Sequence, residues 1–160
     1  MKSILHLKFI VLYIIFGFLC LFTTATLTTQ LVEDRIAEDT SRTLYREASL
    51  IASDYLPSYF TNDSPLYAVQ SQLAAMRLYL DASLWFVDNT GTLITSSNIE
   101  GTSAPEAIEK FDPAEIGGNQ YISGTYHGYF DEDVITVMAP VTQGFHTEGY
   151  LLIHSPVSNI

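Results

Sequence analysis

Apolar and polar positions divide this chain sharply near residue 30. Phe9 to Leu27 is one uncharged, mostly apolar run of nineteen residues, twelve of them Leu, Ile, Val or Phe. At roughly 0.3 to 0.6 kcal/mol each, those twelve favour bilayer insertion by about 5 kcal/mol, and no charge opposes them. A helix of that length, rising ~1.5 Å per residue, nearly spans a ~30 Å hydrocarbon core, and flanking Ile4, Leu5, Leu7 and Thr28 can extend it. Lys2 and Lys8 precede the run and all 18 acidic residues follow it. Because lysines prefer the cytoplasmic side, the N-terminus is expected inside and everything from about residue 31 onward outside the cell membrane. A cleaved signal peptide would start in the same way, and Thr23-Thr24-Ala25 is a tolerable cleavage site. The run exceeds the usual apolar region of roughly 7 to 15 residues, and a helical pattern follows at once, as in a retained anchor.

That pattern places Val32, Ile36, Leu44, Ala48, Ile51, Ala52 and Tyr55 mostly three and four positions apart, predicting one helix over 31–56 that Pro57 ends. Asp39, Thr40 and Thr43 interrupt the middle of the stripe, while Glu38 and Arg42 form a favourable i, i+4 pair. Two uses of the stripe stay open: packing on its own domain, or pairing with a second copy in a homodimer through the juxtamembrane helix. Ser64 as N-cap and Pro65 at the first helical position open a second helix over 65–79, with Leu66, Val69, Leu73, Met76 and Leu80 at helical spacing.

After Asp81 the period changes. Leu84 to Val87 and Thr92 to Thr95 read as two strands joined by the turn Asp88-Asn89-Thr90-Gly91. Residues 96–118 read as a loop with a short helix near Pro105 to Lys110, and Gly117-Gly118-Asn119-Gln120 as a turn. Three further strands are expected at Tyr121 to Phe130, Val134 to Ala139 and Tyr150 to His154, with 143–149 as the last loop. In the middle one both alternating sets, Ile135, Val137, Ala139 and Val134, Thr136, Met138, are largely apolar, as in a strand covered on both faces. The expected architecture is α+β: a transmembrane helix continuing into a long helix, a second helix, then a five-stranded antiparallel sheet. The expected division is an anchor over 1–30 and an outer domain over 31–160.

Charge narrows the partners. Residues 31–160 hold 5 Lys and Arg against 18 Asp and Glu, a surface that repels nucleic acid and anionic headgroups and attracts divalent cations. The lone cysteine, Cys20, lies in the apolar run, so the outer domain has neither an internal disulfide nor a thiolate metal site.

The order of elements resembles the extracytoplasmic PAS-like sensor domains, often called single Cache or PDC domains, of bacterial membrane-bound histidine kinases. The anchor and its continuing helix carry this resemblance, with the hairpin Leu84 to Ile94, the strand ending Met138-Ala139-Pro140-Val141, and the strand opening Gly149-Tyr150-Leu151-Leu152. It implies an input module of a two-component system that binds a small molecule or ion outside and moves its membrane-connected helix. In that family a second transmembrane helix and kinase parts follow. A chemoreceptor, a cyclic-dinucleotide enzyme or a stand-alone anchored binding protein could carry the same domain.

The chain lacks a phosphate-binding glycine loop ending in Lys, a Gly-x-Ser-x-Gly elbow and an HExxH pair, so neither catalysis nor a cofactor is expected here. His146 and Glu148 stand two apart as at a deaminase start, without the required cysteines. Arg77, His127 with Tyr126 and Tyr129 on the expected long strand, and His146 in the last loop are the polar groups most able to face a cavity. Arg77 has the alternative of pairing with Asp81 at i, i+4. Asp131, Glu132 and Asp133, with His127 nearby, offer hard-cation ligands or simply a solvated acidic hairpin tip. Trp85, Phe86 and the tyrosines read as core.

Overall fold

The computed structural model describes residues 2–97, 105–117 and 121–159. Its backbone divides into two compact units, Met1–Ile36 and Ala37–Ile160. Helix α1, Lys2–Asp54, runs through both without a break. In the first unit Lys8–Leu27 is long and apolar enough to cross a membrane, with a mean hydropathy of 2.3. Its threonines satisfy themselves: the Thr24 hydroxyl donates to the Cys20 carbonyl at 2.8 Å and that of Thr26 to the Phe22 carbonyl at 2.9 Å. A hydroxyl tied to its own helix removes the cost of an unpaired polar group in lipid.

The second unit begins with the rest of α1. Ser41, Leu44, Ala48, Ile51 and Ala52 are buried on one face, with Leu56 just beyond the helix end. This stripe packs on its own domain, and it is shifted from the expected one. Ser41 opens it, its hydroxyl bonded to the Glu38 carbonyl at 2.8 Å, while Ile36 and Tyr55 are exposed. The Glu38 to Arg42 pair forms as expected, at 2.7 Å. Pro57 ends the long helix by starting a short one, α2, Pro57–Phe60, whose Tyr59 and Phe60 rings meet Phe86 edge-on at 5.7 Å. Helix α3, Leu66–Leu80, has Pro65 rather than Ser64 at its cap, with no side-chain cap hydrogen bond, and ends on Asp81 in the left-handed region.

Five antiparallel strands follow: β1 Ser83–Asp88, β2 Leu93–Ser96, β3 Ile122–Gly124, β4 Val134–Gln143 and β5 His146–Pro156, in the spatial order β2-β1-β5-β4-β3. The connection from β2 to β3 therefore crosses the sheet from one edge to the other. In the β1–β2 turn Asp88 Oδ1 accepts from the Thr90 and Thr92 backbone N–H groups at 2.8 and 3.0 Å, and Gly91 supplies a φ of +87°. Burial pushes the Asp88 carboxyl up, but the hydrogen bonds from Thr90, Thr92 and Gly91 outweigh it and hold the group below its usual range.

Three expectations are corrected. The short helix lies at Pro113–Gly117 (α4), not near Pro105 to Lys110, because that stretch is drawn against the hairpin: Thr92 pairs with Ala107, and Leu93 N–H donates to the Glu106 carbonyl at 3.0 Å. Strand β3 stops at Gly124. The loop expected over 143–149 shrinks to Gly144 and Phe145, with φ of +62° at Gly144, since β4 and β5 stay paired to Gln143 and His146 across a bulge between Val141 and Thr142. Of the expected turn at 117–120, residues 118–120 lie outside the described residues.

The central strands β4 and β5 are buried on both faces. Gly149 makes the approach of β5 to β1 possible, because a Cβ there would run into the Val87 carbonyl oxygen. Gly149→Ala is expected to destabilise the fold by about 1 to 3 kcal/mol, the usual cost of overpacking, as a lowered urea midpoint. An unchanged midpoint would show that the strands separate freely at this position.

Candidate functional site

The two faces of the sheet are covered by different material. On one, Leu84, Phe86, Ile135, Val137, Leu151 and Ile153 meet α1 and α3 in an apolar core. On the other, Trp85, Val87, Val134, Met138 and Leu152 meet Ile108, Ile116 and Tyr126 from the β2–β3 connection and the segment after β3. Strand alternation places Thr136 and His154, directly paired across β4 and β5, on this second face as well.

His154 is fully buried there. Its Nδ1 lies 2.8 Å from the Thr136 hydroxyl, and the rings of Trp85, Tyr126 and Phe130 surround it at centroid distances of 4.3, 4.8 and 4.9 Å. Among the described residues neither His154 Nε2 nor Trp85 Nε1, both buried, has a hydrogen-bond partner. An unpaired buried polar atom costs about 1 to 3 kcal/mol. Burial pulls the His154 pKa down to about 3, so the imidazole is neutral at ordinary pH.

A turn after β3 closes this face. The stretch from Gly124 to Gly128 cannot continue the strand, because both glycines and also Tyr126 (φ +41°) and His127 (φ +55°) adopt positive φ. Tyr126, His127 and Tyr129 therefore stand on a turn, not on the long strand that aromatic content suggests. The turn is tied to the preceding connection: the Glu109 N–H donates to the Tyr129 hydroxyl at 3.0 Å, and His127 Nε2 lies 3.4 Å from Glu115 Oε2. Burial, then the charge of Glu115 and the neighbouring Tyr129, push the Tyr126 phenol above its ordinary range, so it stays a neutral hydroxyl. Neutral imidazole, phenol and indole groups beside stacked rings are the equipment of recognition by hydrogen bonding and π contact.

The crystal structure of the V. cholerae histidine kinase DctB sensor domain superposes on this chain with a TM-score of 0.58 at 18% identity. This chain has the fold of that sensor domain. The match covers 84% of this chain and 57% of that one, so the chain spans little more than half of its structural relative. No family model and no curated protein matches the sequence. The α+β reading, helices first and then a five-stranded antiparallel sheet, agrees with this likeness.

Of the residues singled out in the sequence, the structure gathers Tyr126, His127 and Tyr129 at the second sheet face. Arg77 is exposed on α3, which packs against the opposite face, and His146 is exposed beside the β4–β5 tip. Asp131, Glu132 and Asp133 are exposed in the β3–β4 connection, where Glu132 accepts from the Ser158 hydroxyl at 2.9 Å. Among the described residues no three His, Cys, Asp or Glu side chains are grouped to hold a metal ion. His154 was missed, although strict alternation along Tyr150, Leu152 and His154 assigns it to one face.

The buried imidazole makes stability depend on pH in a defined direction. Unfolded His154 takes up a proton near pH 6.5, whereas the folded group resists until about pH 3, so between these values the unfolded state binds more protons and stability falls as pH falls. The expected slope attributable to His154 is up to about 1.4 kcal/mol per pH unit. Urea denaturation from pH 7 to 4 should show it in the native protein and show a shallower decline in His154→Gln. Parallel declines would mean the imidazole is not the group responsible.

Proposed function

We propose that this chain is the ligand-sensing input module of a membrane-bound sensor kinase of the two-component type, with Lys8–Leu27 as a retained anchor and the second unit outside the cell. The observation that carries this reading is the sensor-domain fold standing on a helix whose other end is apolar enough to cross a membrane. The lysines before the apolar segment and the acidic residues after it support that orientation. In the proposed mechanism a ligand at the second sheet face contacts Tyr126, His127 and Tyr129. It favours one arrangement of the turn and sheet over another, and α1 conveys the difference toward the membrane. Pairing of two copies along the exposed side of α1 belongs to the same proposal. A chemoreceptor or cyclic-dinucleotide enzyme downstream would use the module in the same way.

Fusions at the C-terminal end of the chain test the topology. A phosphatase that folds only outside the cytoplasm should be active and a cytoplasm-dependent β-galactosidase inactive; the reverse pair contradicts the orientation. Reading on in the coding sequence should reveal a second apolar span of about twenty residues and then a signalling module. A stop codon directly after Ile160 contradicts the kinase assignment.

A further inference from the structure

Apart from a groove between α1, α4 and the sheet at Arg42, the second unit carries a hollow of about 520 Å³ where α2 leads into α3. Its size falls within the roughly 300 to 1,000 Å³ typical of small-molecule sites. Tyr59, Phe60, Asn62, Ser64, Pro65 and Leu66 line it. Tyr59 and Phe60 pack on the helix-covered core, so the hollow is distinct from the sheet face closed by Tyr126 and Tyr129. We propose that this hollow binds a neutral sugar of the β-linked glucose type, its apolar ring face against Tyr59 and Phe60 and its hydroxyls on Asn62 and Ser64.

The lining selects the ligand class. None of the six residues is charged. Residues 31–160 carry 18 acidic side chains against 5 basic ones, so an anion meets repulsion here with no local cation to offset it. An organic cation finds no carboxylate in the lining either, because neighbouring Asp63 accepts from the Thr61 hydroxyl at 2.6 Å and stays outside it. What the hollow offers is aromatic surface beside an amide and a hydroxyl that both donate and accept. A pyranose with equatorial hydroxyls matches both halves: its axial C–H bonds make an apolar face, its hydroxyls a polar rim. The Asn62 carboxamide can accept from one hydroxyl while donating to the next. The site is also shaped in advance. The Tyr59 and Phe60 rings meet edge-on at 5.3 Å, and each meets Phe86 at 5.7 Å. The N–H groups of Asp63 and Ser64 both donate to the Ser58 carbonyl at 3.0 Å, which ties the loop back on α2. Asn62 stands at φ +59°, a region asparagine enters more readily than most residues. A site ordered beforehand spares the ligand that ordering cost. Binding here stands independently of the signalling function proposed above.

The test is calorimetry on the full chain in zwitterionic nanodiscs with three probes: cellobiose, its anionic twin cellobiouronate, and the cation choline. Cellobiose should bind with a Kd of about 1 mM or below, and the two charged probes at least about tenfold more weakly, a difference of about 1.4 kcal/mol. Asn62→Gly removes the amide and keeps the positive φ accessible, and it should weaken cellobiose at least about tenfold. Ser64→Ala should weaken it about threefold or more, while Asn89→Gly, an exposed asparagine in the β1–β2 turn, should leave it unchanged. Both lining residues lie outside the buried core, so unaltered thermal midpoints are expected for all three variants. Absence of cellobiose binding at about 10 mM, a charged probe binding as tightly as cellobiose, or an affinity indifferent to Asn62→Gly or Ser64→Ala would each overturn the site. The topology fusions read the sensor assignment separately, so failure of one claim is not mistaken for failure of the other.

Discussion

One helix has to satisfy two different surroundings. Residues 8–27 of α1 present apolar side chains all round, as lipid requires, whereas the stretch from Ser41 to Ala52 presents one buried stripe and otherwise polar groups, as a protein core requires. The change from one regime to the other occurs without a proline, a glycine or a break in the helix. The function proposed for this chain depends on that continuity. A helix whose last turns are core residues cannot shift without disturbing the sheet, and the sheet cannot rearrange without pressing on the helix.

The sheet shows how such a disturbance could arise. Its interior strands β1, β5 and β4 are buried on both sides, so each face needs a cover, and the covers differ in character. The α1 and α3 side is mostly apolar. The other side is closed by a short helix, a turn holding two non-glycine residues at positive φ, and a buried histidine and tryptophan each with a nitrogen unpaired among the described residues. Residues kept in sparsely populated backbone regions store roughly 1 to 3 kcal/mol each, and unsatisfied buried atoms cost a comparable amount. In the proposed mechanism the less satisfied cover is the one that exchanges one arrangement for another when a ligand provides the missing contacts.

Features governed by local periodicity were legible in the sequence: the apolar run, the spacing of Leu66 to Leu80, the β1–β2 hairpin with its Gly91 turn, and the two-faced character of Val134 to Ala139. Features governed by distant partners were not. Residues 105–110 have helical composition, but the pairing of Ala107 with Thr92 draws them against the hairpin as bend and turn, and nothing local encodes that bridge. Tyr121 to Phe130 has the aromatic content of a strand, yet Gly124 and Gly128 mark where it turns, a signal outweighed by β propensity. In the sequence Arg42 reads only as the i, i+4 partner of Glu38. Its place at a groove follows only from how α1 packs near α4 and the sheet.

The continuity of α1 from lipid to core is tested most directly by N-terminal sequencing of the protein recovered from cells, combined with membrane fractionation. The account predicts a membrane-bound protein whose sequence begins within the first few residues, before Phe9. Recovery of freely soluble protein beginning just after Ala25 would contradict it, because nothing would then connect the folded unit to the membrane.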